Sequence, residues 1–199
     1  MILLNFQLNL LLDTGSSDTA VASKSLQHVN RWFDPSASST LLCSDLMQTV
    51  QYHVGSWRGY LCSDLLSFPN ARGVANQTNV QTDLKIDFAI IDEAHDFFLP
   101  NNASGWEGIV GLGFPALSVP PTKPSASNFK PPTSRFSYLA LNLFPTMSKP
   151  LGLFDNLVQQ WGLPDVFSLL LCGLTKQNKH RYTLDGFRLR NSDDDLDFG

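Results

Sequence analysis

The residues best suited to do chemistry lie near the start of the chain, in LNLLLDTGSSDTAV at positions 8–21. An apolar run stops at Asp13-Thr14-Gly15, and Ser16 and Ser17 follow. A carboxylate where a buried strand enters a tight turn is positioned to do chemistry. Each neighbour has a use. The strand holds Asp13 rigidly, and Thr14 can point inward and hydrogen-bond to backbone across a lobe interface. Gly15, lacking a Cβ, lets another backbone or a substrate come close. Ser16 can donate to the outer oxygen of Asp13 and favour its ionised form. Chemistry of this kind normally uses two carboxylates, yet Asp-Thr-Gly occurs once in the chain. Taken alone, the triplet also fits an ordinary turn.

Such a group needs a scaffold, and residues 1–114 read as mainly β. Apolar runs QLNLLL, VQYHV, DLKIDFAII and GIVGLGF alternate with the clusters DTGSSD, GSWRGYL and DEAHD. This is the rhythm of a sandwich or barrel-like β domain, not of βαβ units. The opening MILLNFQLNLLL has no basic flank and no small-residue cleavage site, so it reads as strand and not as a signal peptide. Residues 115–150 hold eight of the twelve prolines, which exclude a regular sheet and predict a long loop or insertion. The apolar patch FSYLALNLF within it has no assigned place. Apolar residues at 151, 154, 157, 158 and 161 predict a short amphipathic helix ending at Gly162 and Pro164. DVFSLLLCGL (165–174) reads as a buried strand. Residues 175–199 read as a poorly ordered tail, with a hairpin turning at Asp185-Gly186 and a solvated acidic end.

Composition narrows the function. Of 199 residues, 43% are hydrophobic and 16% charged, which suits a packed core. The net charge of −4 and the absence of a basic stripe argue against nucleic acid. No apolar run reaches membrane-spanning length. Cys43, Cys62 and Cys172 match no zinc spacing, and an odd count leaves one without an intrachain partner if the others pair. Cys43 and Cys62 could bridge neighbouring strands or stay free. His28, His53, His95 and His180 show no metal-ligand spacing, so no metal or other cofactor is expected. Asp92, Glu93 and Asp96 read as a solvated turn. Asn76-Gln77-Thr78 and Asn102-Ala103-Ser104 are glycosylation sequons, which lean towards a secretory setting.

Several blocks together resemble the pepsin-family aspartic proteases, and among them the β-secretases (memapsins) most. Besides Asp13-Thr14-Gly15-Ser16, WFDPSASST (32–40) is similar to the segment between catalytic strand and flap. VQYHVGSWRGYLCSDLLSFP (50–69) resembles the flap hairpin and its return strand. WEGIVGLGF (106–114) is similar to the apolar-apolar-Gly segment under the catalytic loop, and LFDNLVQQWGLPDVFSLLLCG (153–173) to the helix and strand that close the amino-terminal lobe. The blocks stand in the family's order and cover about residues 8–114 and 151–173.

The resemblance implies a pepsin-like lobe, mainly β, with a flap hairpin and one short helix, and incomplete as a protease. It implies Asp13 as one catalytic carboxylate, supported by Thr14, Gly15 and Ser16. It implies a flap of Tyr52, His53, Val54 and Gly55 over a polypeptide substrate, with Trp57 holding the tyrosine through its indole N–H. The second carboxylate would come from a carboxy-terminal lobe, absent here, with which the family pairs the cysteine at Cys172. A secretory or endosomal, membrane-associated location also follows from the resemblance, any anchor lying outside this chain. Two features depart from the family. His53 and Val54 stand where the secretases carry small or polar residues, and FKPPTSRFSYLALNLFPTMS (129–148) interrupts the match. With one Asp motif, the isolated chain is expected to be inactive. The alternatives are an inactive pseudoprotease or peptide-binding β domain, and a homodimer supplying two copies of Asp13.

Overall fold

A computed structural model describes residues 2–3, 6–23, 26–67, 83–124 and 149–168. Among the described residues the protein is mainly β with one α-helix, as expected. The strands are β1 (Ile2–Leu3), β2 (Phe6–Gln7), β3 (Leu11–Asp13), β4 (Thr19–Ala22), β5 (Leu42–Gln51), β6 (Ser56–Ser67), β7 (Asp83–His95) and β8 (Gly108–Gly111). They form one sheet in the order β2-β1-β6-β7-β4-β8-β3, with β5 paired to β6. Helix α1 spans Leu153–Trp161 and ends at Gly162, whose left-handed φ of 65° suits glycine.

Both faces of the central strands are buried, and alternation along each strand sorts the side chains. In β7, Leu84, Ile86, Phe88 and Ile90 join one apolar cluster, while Ala89 and Ile91 join the other. Val21 and Val110 face the first cluster; Ala20, Ala22 and Ile109 face the second. Leu153, Phe154 and Leu157 of α1 cover the first cluster. The second gathers Val50, Trp57, Phe97 and Phe98, the aromatic side on which the candidate site is built. Each large side chain buried this way contributes about 1.5–3 kcal/mol of transfer free energy.

Several local expectations change. QLNLLL is not one strand: β2 and β3 are separated by residues 8–10. The strand before Asp13 is not buried. It lies at the sheet edge, and Leu11 is 41% exposed. GSWRGYL is no turn cluster, because it opens the long strand β6, and DEAHD continues β7 as far as His95. These polar stretches stay extended because they pair with each other, Trp57 with Ala94 and Arg58 with Glu93, up to an irregularity between Arg58 and Gly59. Asp92 is therefore on a strand and half-buried, 3.8 Å from Arg58, not in a solvated turn.

Cys43 and Cys62 sit directly opposite in the β5–β6 ladder and form a disulfide. The two strands bring their Cβ atoms together, which spacing alone could not decide. Of the proline-rich stretch, residues 115–124 are described: a 3-10 turn at Pro115–Leu117, then a bridge from Thr122 to Met47 of β5. Asn76, Cys172, most of 165–174, FSYLALNLF and the tail hairpin lie outside the described residues. Asn102 ends a short 3-10 helix, Pro100–Asn102. No helix among the described residues is long and apolar enough to cross a membrane.

Candidate active site

The loop bearing Asp13 is shaped by an unusual strand arrangement. Strand β8 lies between β3, to which it is parallel, and β4, to which it is antiparallel. Residues 14–18 connect those two flanking strands, so they must cross over the end of β8. Leu112 N donates to Asp13 O at 2.7 Å, Gly111 N to Asp18 O at 3.0 Å and Gly113 N to Ser16 O at 2.8 Å. The crossing is close enough to exclude a side chain: a Cβ on Gly111 would lie 2.4 Å from the carbonyl carbon of Ser17. Ser17 Oγ donates to Phe114 O at 2.5 Å, fastening the loop to the segment after β8. The loop is thus backed by glycine-bearing backbone on one side and open on the other.

Asp13 ends β3 half-buried, paired in register with Gly111. Its Oδ1 accepts from Gly15 N at 2.8 Å. Ser16 does not fill the expected role. Its Oγ is buried without a hydrogen-bond partner, and it lies on the Tyr52 side of the loop, where it helps hold that phenol's pKa down. Gly15 N does what the serine was expected to do, because the turn aims that N–H back at the carboxylate. Thr14 is exposed. A Cβ on Gly15 would meet only Asp13 Oδ1, at 3.2 Å, so the space above Gly15 is clear.

The hairpin of β5 and β6 folds back at residues 52–55. Tyr52 N donates to Gly55 O at 3.0 Å, and Gln51 Nε2 donates to both Tyr52 O and Gly55 O. Gly55 has φ of 82°, and a Cβ there would lie 2.6 Å from Asp96 O, so conformation and space both demand glycine. His53 and Val54 are exposed at the tip, Val54 at 71%. Trp57 Nε1 donates to Tyr52 Oη at 3.1 Å, and Trp57 is buried. Tyr52 stacks on Phe97 with centroids 5.5 Å apart. Burial raises the pKa of the Tyr52 phenol most. The bond from Trp57 and the nearby Ser16 hydroxyl oppose that shift, and the charges of Asp18 and Asp13 add to it. The chain therefore brings Tyr52 within electrostatic reach of Asp13.

Three residues beside Tyr52 escaped the sequence reading. Phe97, Phe98 and Trp106 form an aromatic wall, with Phe97–Trp106 centroids at 5.0 Å and Phe98–Trp106 at 5.2 Å. The signal was an aromatic pair followed by a tryptophan after DEAHD, but nothing local placed them next to residue 52. Among the described residues, no three His, Cys, Asp or Glu side chains come together as a metal group.

A sequence description of eukaryotic aspartyl proteases matches residues 5–144, which contain the Asp13 loop, the hairpin and β8. The chain belongs to the eukaryotic aspartyl protease family. This aspartyl protease chain is 30% identical over 167 residues to the beta-secretase of Strongylocentrotus purpuratus, covering 84% of this chain and 24% of that protein. It is 29% identical over 129 residues to aspartic protease 1 of Caenorhabditis elegans, covering 59% of this chain and 29% of that protein. The aspartyl protease chain thus spans 24% and 29% of the length of these relatives. Its mainly-β architecture is that of a pepsin-like lobe, and it is partial relative to a whole protease.

Proposed function

We propose that this chain provides one catalytic carboxylate, Asp13, and the flap of a β-secretase-like aspartic endopeptidase. The observation that carries the reading is the approach of Tyr52, tethered by Trp57, to the loop of Asp13. The second carboxylate comes from a second lobe. With two carboxyl groups about 3 Å apart, one proton is shared, since both cannot ionise together. The ionised group takes a proton from a bound water as its oxygen attacks the scissile carbonyl carbon. The protonated group donates to the carbonyl oxygen, giving a tetrahedral diol. Proton transfer to the leaving nitrogen then breaks the C–N bond and restores the dyad. No covalent intermediate forms.

An extended polypeptide lies between the flap and the Asp13 loop. Phe97, Phe98 and Trp106, next to Tyr52, favour a large apolar side chain beside the scissile bond. The exposed apolar side chains Leu11, Phe114 and Leu117 surround the Asp13 loop and suit burial against the second lobe. The resemblance to a beta-secretase supports a secretory or membrane-associated location for the whole protein.

The single Asp-Thr-Gly favours a second reading for the chain by itself: an extended-peptide binder that does not cleave. The chain alone, and the chain joined to a family carboxy-terminal lobe, are to be assayed on a peptide library at acid pH. Cleavage only by the joined protein, abolished by Asp13→Ala, is the expected result. Cleavage by the chain alone, also lost in Asp13→Ala, would replace the second lobe with a homodimer. Binding without cleavage by either would leave the peptide-binding reading.

A further inference from the structure

Asp18 ends the loop that begins at Asp13, and it is 2% exposed. A buried carboxylate is costly unless its oxygens are hydrogen-bonded. Here three donors from two other segments converge on it. Ser118 Oγ donates to Oδ1 at 2.6 Å, Gln48 Nε2 to Oδ1 at 3.1 Å and Val119 N to Oδ2 at 3.1 Å. Gln48, itself 1% exposed, also donates to Val119 O at 2.8 Å. Gln48 lies on β5, the first arm of the flap hairpin. One turn of the ladder earlier, Met47 and Thr122 exchange backbone hydrogen bonds, each 2.8 Å. Residues 118–122 are therefore a strap along the outer edge of the flap arm, and Asp18 joins strap and arm to the catalytic loop.

We propose that Asp18 is a positioning residue that sets where the flap rests over Asp13. The argument is mechanical. Gln48 and Tyr52 are four residues apart on an extended arm, a lever of about 13 Å. A tilt of about 5° at the Gln48 anchor would move the tyrosine by about 1 Å, enough to impair a positioned reaction about a hundredfold. Stability alone does not call for such a network, because well-packed apolar side chains in its place are often neutral or better. What the carboxylate adds is a single arrangement of three segments. Its geometry is selective as well. Asparagine could keep the bonds from Ser118 and Gln48, but its amide N–H₂ would then face the N–H of Val119.

The catalytic consequence rests on the proposed peptidase reading, but the positioning itself is measurable without cleavage, by hydrogen exchange on this chain. In Gln48→Met, amides of residues 49–58 and those of Ser118, Val119 and Thr122 should exchange about tenfold faster, while those of 84–91 in β7 keep their protection. In Asp18→Asn, the increase should centre on the amides of Val119 and Thr122, with the flap arm largely retained. Ser118→Ala, a smaller change, should shift both regions in the Gln48→Met direction. Unchanged exchange in the flap of Gln48→Met and Ser118→Ala would overturn the proposal, as would an equal increase throughout β7, which marks simple destabilisation. Absence of cleavage by the unmutated joined protein, with these exchange changes present in the variants, would count against the peptidase reading only.

Discussion

Trp57 and Tyr52 are five residues apart, yet the indole Nε1 of one donates to the phenol oxygen of the other at 3.1 Å across the fold of the hairpin. The buried indole is the fixed partner, packed among Val50, Ala89 and Ile91, and the half-buried phenol is the one being held. Trp57→Phe keeps most of the packing and removes the donor. In the proposed two-lobed enzyme it should lower kcat/KM about tenfold, corresponding to one neutral hydrogen bond. Tyr52→Phe should give a similar loss, and the double variant no more than either alone. Additive losses in that cycle would show that the two residues act separately.

Gly111 should be the least replaceable glycine of the site. An added Cβ would lie 2.4, 2.5 and 2.6 Å from backbone atoms of Ser17 and Asp18, none of which can swing away. Gly111→Ala should cost about 3 kcal/mol or more by displacing the loop of Asp13. Gly105→Ala, with a φ of 69° but nothing within 4 Å, should cost only about 1 kcal/mol. Urea titrations of the two variants compare them directly, and equal midpoints would contradict the packing argument.

The disulfide between Cys43 and Cys62 joins residues 19 apart in sequence and ties the roots of the flap arms. It should stabilise the chain by about 3 kcal/mol, chiefly by restricting the unfolded state. The Cys43→Ala/Cys62→Ala double variant should therefore unfold at a clearly lower urea concentration than the oxidised parent. An unchanged midpoint would mean that the bond contributes nothing to the fold.

Acid should favour this fold. Burial raises the pKa of Asp87, Asp92 and Asp155 above the ordinary carboxylate value. Lys85 partly offsets it at Asp87 and Arg58 at Asp92, while Asp165 adds to it at Asp155. A raised folded-state pKa means the native chain holds its proton to higher pH than the unfolded chain does. The stability from these groups is full below the unfolded value and is lost as pH rises through the folded values. Thermal unfolding followed from mildly acidic to neutral pH should show this decline. Asp87→Asn and Asp92→Asn should each flatten it, and an unaltered slope in both would refute the assignment.

Some of this was legible in the chain. The Asp13 turn, the tyrosine–glycine–tryptophan order of the hairpin and the helix before Gly162 are all local. Each depends on a periodicity or on a turn residue acting within a few positions, so residue types and spacing express it directly. The length of β6 and β7 was less legible, because GSWRGYL and DEAHD carry turn-like residues that only mutual pairing keeps extended.

What the sequence by itself determined was local: one carboxylate on a glycine-bearing turn, and a hairpin carrying a tyrosine. Tertiary structure alone decided which side chains surround it. Phe97 stacks on Tyr52 and joins Phe98 and Trp106, and Cys43 meets Cys62, only because of strand order and register. Asp18 meets Ser118 and Val119 across separations of 100 and 101 residues. Such contacts follow from how a whole sheet closes, and no short stretch of residues carries that information.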